Sequence, residues 1–253
     1  FRAGVNAGNS IASGGNYNVV VGDEAGTALT TGDYNVGIGY GAGTAVTTGR
    51  LNTLIGGLAG DHTTTANNVT AVGASALSAN TTGADITAVG AAALATNTTG
   101  ASNTAVGYGA LNANTTAANN TGIGAYALVA NTTGADNSAV GMQALKANTT
   151  GTRNSAMGSI ALDANTEGNY NSAFGYNSLG ANTTGTHNTA LGDFSQAANT
   201  TGTKNVSVGQ GSFITNTTGS NNVVVGTEAM TANTTASNNT AVGHQSLYAN
   251  TTG

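Results

Sequence analysis

Residues 137–153 read Asn-Ser-Ala-Val-Gly-Met-Gln-Ala-Leu-Lys-Ala-Asn-Thr-Thr-Gly-Thr-Arg, and most of the chain repeats this unit with substitutions. Its glycine, Gly141, recurs every 17 residues from Gly22 to Gly243 without a shift in spacing. A short fixed period is typical of a solenoid, in which each coil packs only against its neighbours. We number positions within a coil from this glycine, which is position 0.

Each coil has one stretch that favours a β-strand. Positions −3 to −1 hold residues such as Thr-Ala-Val or Val-Val-Val, and position −1 is apolar in all fourteen regular coils. Side chains alternate along a strand, so −3 and −1 share one face, expected to point inward, and −2 occupies the other. Positions +3 to +6 are predicted to form a second extended segment, closed by an Asn-Thr-Thr-Gly turn. The sequence therefore predicts an all-β fold, a parallel β-solenoid (β-roll) of about fifteen coils with two short strands per coil.

The first coils differ from the rest. Residues 1–66 carry Ala-Gly at positions +3 and +4, whereas residues 67–253 carry Ala-Leu and an Asn-Thr-Thr-Gly turn. We interpret these as two zones of one solenoid. Each missing leucine removes about 2 kcal/mol of apolar burial, so other side chains should fill the interior of the first zone. The replacements are expected from Val19-Val20-Val21, Leu54-Ile55, Leu29 and Val46, with position +7 turned inward where it is Leu or Val and laddered where it is Asn.

Composition excludes several classes of protein. Only 6% of residues are charged, the formal net charge is −5, and no basic run is present, so nucleic-acid binding is not expected. There is no cysteine, and no apolar run is long enough for a membrane-spanning helix. The chain opens in mid-repeat, which suggests a segment of a longer protein.

Position −2 carries the prediction about assembly. It is Ala, Gly, Val, Leu or Ser and never charged in the regular coils, and it faces away from −1. Exposed to water it would be a long apolar stripe, which monomers avoid, so we predict a parallel, in-register homo-oligomer. The predicted interface residues are Ala105, Gly122, Ala139, Ala156 and Ala173.

The motif Asn-Thr-Ala-Val-Gly-x-x-Ala-Leu, at Asn103 to Leu111 and again at Asn239 to Leu247, resembles two groups of proteins. It is similar to the head repeats of YadA-type trimeric autotransporter adhesins, whose motif is Ser-Val-Ala-Ile-Gly-x-x-Ser. The 17-residue unit resembles repeats of phage tail-fibre-like and bacterial surface proteins. The resemblance implies a left-handed roll, a homotrimer, and a place outside the cell, on the cell surface or on a virion.

No pattern in the sequence indicates catalysis or a bound metal. The three histidines, His62, His187 and His244, occupy different coil positions, and neither a His-x-x-x-His pair nor a nucleophile elbow occurs. We therefore predict a protein that is not an enzyme and has no catalytic residues, cofactor or metal site.

Tyrosines are the candidate surface contacts. Position +1 or +2 holds Tyr40, Tyr108, Tyr126 and Tyr176, whose rings could stack on carbohydrate or contact a host receptor; scattered solvent-facing tyrosine is the alternative.

The predicted function is that of a structural repeat region in a trimeric extracellular or virion fibre, a shaft or head for attachment. Two alternatives remain: a solenoid that binds ice through its threonines, and a passive spacer of a surface layer or filament. Adjacent threonines such as Thr149 and Thr150 would point to opposite faces, which weakens the ice-binding alternative.

Overall fold

The chain is a parallel β-solenoid, as the 17-residue period predicts. The structure, a computed structural model, describes residues 2–252, in which short strands alternate with turns and no helix occurs. The strands are β1 (Arg2–Ala3), β2 (Val19–Val21), β3 (Val36–Ile38), β4 (Thr53–Ile55), β5 (Val69–Val72), β6 (Ile86–Val89), β7 (Thr104–Val106), β8 (Thr121–Ile123), β9 (Ser138–Val140), β10 (Ser155–Met157), β11 (Ser172–Phe174), β12 (Thr189–Leu191), β13 (Val206–Val208), β14 (Val223–Val225) and β15 (Thr240–Val242).

The chain divides into two compact units, the first ending at Tyr126 and the second beginning at Ala127. Strands β1 to β8 pair in chain order within the first unit, and β9 to β15 do so within the second. All these pairs are parallel and join equivalent positions, as where Ala156 pairs with Ala139 and Ala173. The composition change near residue 66 lies inside the first unit.

Each described coil contains one strand, so the prediction of a second strand at +3 to +6 is wrong. Positions +2 and +4 adopt left-handed conformations, with φ of 59° at Gln143 and 51° at Leu145. The Ala144 N–H donates to Gly141 O (3.3 Å) and the Asn148 N–H to Leu145 O (3.2 Å), which closes two successive turns. The Leu145 N–H still donates to Ala161 O of the next coil (3.0 Å), so hydrogen bonds join the coils without a strand.

The interior of a regular coil is narrow and is filled from two sides. Alanines at −2 and +3 and the leucine at +4 are buried in the regular coils, Leu145 and Leu162 among them, except that Leu247 of the last coil is 46% exposed. Leucine in a left-handed conformation costs on the order of 1 kcal/mol, which its burial offsets. The leucine at +4 therefore faces the alanine at −2 across the core.

The first coils reverse this arrangement, which confirms the prediction that position +7 turns inward where it is Leu or Val. Leu29 and Val46 at +7 are only 1% and 3% exposed, and Val20 and Leu54 at −2 are buried. A Cβ added to Gly43 at +4 would lie 2.7 Å from Leu54 Cδ1. The large side chain thus enters from −2 in the coils of Gly26 and Gly60, and Leu54 of the next coil packs against Gly43, whose own coil has Gly37 at −2. The prediction is wrong for the neighbours at −3 and −1, because Val19, Val21 and Ile55 point outward.

Two columns of buried asparagines support each coil. At position −4, Asn188 donates its backbone N–H to Asn171 Oδ1 (3.0 Å). At position +7, Asn182 Nδ2 donates to Asn165 Oδ1 (2.8 Å), and Asn199 Nδ2 donates to Asn182 Oδ1 (2.9 Å). These ladders satisfy polar groups that burial would otherwise leave unpaired.

The two columns share one acceptor, the carbonyl of position +10. Gly185 O accepts from Asn171 Nδ2 (2.8 Å) and from Asn182 Nδ2 (3.1 Å). Where −4 is Val69 or Ile86, the +7 asparagine still donates, as Asn80 does to Gly83 O. The −4 asparagine still donates where +7 is not asparagine, in the bonds Asn18 to Gly32, Asn35 to Gly49 and Asn52 to Ala66. In the coils that lack the asparagine of one column, the asparagine of the other column thus still donates to the carbonyl of position +10.

This sharing predicts coupling between Asn171 and Asn182. Asn171→Val and Asn182→Ala each leave Gly185 O with one donor, whereas the double variant removes both. Leaving the buried carbonyl unpaired adds roughly 1–3 kcal/mol, so the double variant should lose more unfolding free energy than the sum of the single losses. A double-mutant cycle in denaturant measures this, and additive losses would contradict the shared role.

Candidate functional site

The predicted interface column at −2 lies inside the chain's own core, so that prediction is wrong. Ala105, Ala139 and Ala173 are fully buried, Ala156 is 2% exposed, and Gly122 is buried as well. These residues pack within a single chain and cannot contact another. Side chains do alternate between two faces of the strand as predicted, but −2 points inward, not −3 and −1. Leucine at +4 and the asparagine columns fill the interior, which leaves room for alanine but not for the larger side chains of −1.

The outward face of the strands is therefore formed by positions −3 and −1. Met157 and Leu191 on this face are about half exposed, at 52% and 49%, whereas Phe174 is less exposed. Position −1 forms an apolar column within each unit. In the first unit it consists of Val21, Ile38, Ile55, Val72, Val89, Val106 and Ile123, and in the second of Val140, Met157, Phe174, Leu191, Val208, Val225 and Val242. No charged residue occurs at −3 or −1 in these fourteen coils. We call this surface the outward face.

The outward face is regular in the first unit. Strands β4 to β8 place threonine at −3 and Val or Ile at −1, and the pairing holds equivalent positions in register. The five threonines are Thr53, Thr70, Thr87, Thr104 and Thr121. Their hydroxyls make no hydrogen bond within the described part of the chain, so they are available to water or to a partner.

In the second unit the outward face is uneven. A hollow of about 150 Å³ lies among Val140, Met157 and Phe174, with Ser138, Ser155 and Ala156 completing its lining. The side chain of Met157 protrudes beside this hollow. A protruding side chain next to a depression allows two copies of such a surface to interdigitate.

The structure places the candidate tyrosines outside the strand segments, on exposed positions after the glycine. Tyr108 and Tyr126 pack edge to face with ring centroids 5.2 Å apart. Tyr176 packs in the same way against Phe194 at 5.3 Å, whereas Tyr40 contacts no aromatic ring among the described residues. Desolvation raises the pKa of Tyr126, and its charge interaction and hydrogen bond with Tyr108 raise it further. Tyr108, Tyr126 and Tyr176 are thus each paired with a neighbouring ring, and Tyr40 is not.

Aromatic rings also pair at position +12, and the composition of the chain alone does not predict these contacts. Tyr17 and Tyr34 stack at 4.9 Å, and Tyr170 stacks on His187 at 4.8 Å. The Arg153 guanidinium lies over the Tyr170 ring, 5.3 Å from its centroid. Residues 17 apart meet in this way because equivalent positions of paired coils are adjacent. The spacing in the sequence was the signal that could have predicted these contacts.

No described group of three or more His, Asp or Glu residues could hold a metal ion. Charged side chains instead interact along their columns. Burial raises the pKa of Asp163, while the charge of Lys146 and backbone hydrogen bonds act in the opposite direction.

The threonines of the turn have a structural role. Thr149 Oγ1 donates to Thr166 O of the next coil (3.1 Å), and Thr166 Oγ1 does the same to Thr183 O (3.2 Å). The adjacent Thr150 is exposed. The turn therefore presents one threonine per coil, and a two-column threonine array occurs nowhere in these turns.

Comparisons with protein-family models, curated proteins and solved structures found no match to this chain. Among the described residues, no helix is long and apolar enough to cross a membrane.

Proposed function

We propose that this chain is the structural repeat region of an elongated homotrimeric fibre, outside the cell or on a virion, assembled through the outward face. The observation that carries the proposal is the apolar column at −1. Its fourteen residues, seven in each unit, include no charge. Contiguous exposed apolar surface of this kind marks interaction sites in soluble proteins.

The area of this face suits a stable interface. Paired strands lie about 4.8 Å apart, and a three-residue strand is about 10 Å long, so each coil offers about 50 Å². The seven regular coils of each unit offer about 350 Å², so both units together offer about 700 Å², close to the roughly 800 Å² per partner of a standard interface.

The chemistry of the face favours a second copy of the same chain. In a parallel, in-register assembly, equivalent positions of different chains meet, so any charge on the face would oppose an identical charge. The absence of charge at −3 and −1 removes that repulsion. The hollow beside Met157 offers space for a side chain of a neighbouring chain. Three copies are proposed because the repeat resembles those of trimeric fibres.

The outward face can be tested by changing Met157 and Leu191 to glutamate together. Both side chains are about half exposed in the single chain, so the variant should fold, yet its association would bury unpaired charge. We expect the parent to sediment near 73 kDa, three chains of 24.3 kDa, and the variant to shift toward the mass of one chain.

The matched control places two glutamates on another surface, as Thr133→Glu with Thr201→Glu. Both positions are exposed at +9, where Glu167 occurs naturally, so the oligomer should remain intact. A parent protein that is a folded monomer at micromolar concentration would contradict the proposal.

A second function, ice binding, is favoured by one observation. The five threonines of β4 to β8 form in-register rows with Val or Ile beside them, and their hydroxyls have no partner in the described chain. An open face of this kind could order water. A folded monomer that lowers the freezing point of its solution during ice growth would favour this function over the fibre.

A further inference from the structure

A groove of about 370 Å³ lies in the first unit, away from the outward face. Its lining comes from positions +1 to +6 of three successive coils: Glu24, Tyr40, Gly41, Thr44, Ala45, Leu58, Asp61 and His62. The volume falls within the range of small-molecule sites in proteins. None of these residues lies on a strand.

The groove exists because its floor is made of small residues. Gly41 has a φ of 63°, and a Cβ added there would lie 2.8 Å from Leu58 Cδ2. The Thr44 hydroxyl donates to Gly41 O (2.6 Å), which holds the floor in place. Tyr40 and Leu58 form apolar walls, and the Tyr40 ring is exposed without an aromatic partner in the described chain.

The charge of the groove is negative. Glu24 and Asp61 line it, and the lining contains no lysine or arginine. Asp61 Oδ2 lies 3.3 Å from His62 Nδ1, which also interacts with Ser78 O at 2.9 Å. Asp61 Oδ1 is buried and has no hydrogen-bond partner. The Asp61 side chain as a whole is 16% exposed, so its negative charge lies at the surface of the groove.

We propose that this groove binds an alkylammonium group, carried by a free amine or by the side chain of a lysine. The two carboxylates supply charge, the Tyr40 ring supplies a cation–π contact, and Leu58 covers the alkyl chain. An ammonium group has three donors and no acceptor, so it matches a groove that Glu24 and Asp61 line and that has no lysine or arginine. This inference does not depend on the oligomeric state.

Calorimetric titration of the whole chain with n-butylammonium tests the site. Saturable binding is expected, weakened at least about fivefold by Tyr40→Ala and by Asp61→Asn, and reduced by added salt. Gly41→Asn, which keeps a residue that tolerates the left-handed conformation, should fill the groove and abolish binding. Tyr108→Ala, which removes an exposed tyrosine elsewhere, should leave binding unchanged.

A parallel titration with Nα-acetyl-lysine methylamide distinguishes the source, since tighter binding of this compound favours a lysine of a partner protein and tighter binding of butylammonium favours a free amine. Thermal melting of each variant checks that it is folded. The proposal is overturned if neither amine binds, if calcium binds in their place, or if Tyr40→Ala and Asp61→Asn bind like the parent.

Discussion

Replacing Gly158 by alanine is expected to unfold the coils around it. Gly158 has a φ of 142°, a conformation that side chains with a Cβ rarely adopt. A Cβ at this position would also lie 2.4 Å from Gly175 O and 2.6 Å from Gly175 C, both backbone atoms of the next coil. The substitution cannot be relieved by moving a side chain.

Strain and overlap together should cost about 3–6 kcal/mol, a large part of the stability of an ordinary domain. Chemical denaturation followed by circular dichroism measures the loss. The same close approach recurs at Gly141, whose added Cβ would lie 2.5 Å from Gly158 O. The contact between successive glycines thus explains why this residue recurs every 17 positions.

Gly57→Ala is the matched control. No atom lies within 4 Å of a Cβ added to Gly57, and its backbone is not in the left-handed region. This variant should stay within about 0.5 kcal/mol of the parent. A Gly158→Ala variant as stable as the Gly57→Ala variant would show that the coil-to-coil contact is not what requires glycine.

Replacing Ala139 by aspartate should have an effect of similar size, and it tests which face of the strand points inward. The Ala139 side chain is fully buried in a core of alanine, leucine and asparagine, and the described surroundings hold no basic group to pair with a carboxylate. An uncompensated buried charge costs about 3–5 kcal/mol. We expect loss of the folded signal in circular dichroism and not only a lower oligomeric mass.

Val140→Asp is the matched comparison, because it places the same charge on the neighbouring residue. Val140 follows Ala139 directly but lies on the outward face and is partly exposed. The variant should keep the folded signal of a single chain while losing association. The opposite pattern, with Ala139→Asp folded and Val140→Asp unfolded, would refute the assignment of the two faces.

The 17-residue period alone determined the register of the solenoid, because each recurring glycine must contact the glycine 17 residues away. The pairing of Ala139 with Ala156, and the inward turn of Leu29 and Val46, could both be predicted from spacing and side-chain size. The tyrosine pairs could have been predicted in the same way, since Tyr17 and Tyr34 share a coil position.

The inward face of the strand was decided by the tertiary structure. Alternation separates Ala139 from Val140 but does not say which one is inside, since either set is apolar enough for a core. What places Ala139 inside is Leu145 at position +4, which packs against it from the other side of the core. Leu145 adopts a left-handed conformation that the sequence gives no reason to expect, and its side chain occupies the space a valine would need. Because position −2 points into the core, positions −3 and −1 point outward and form the candidate interface.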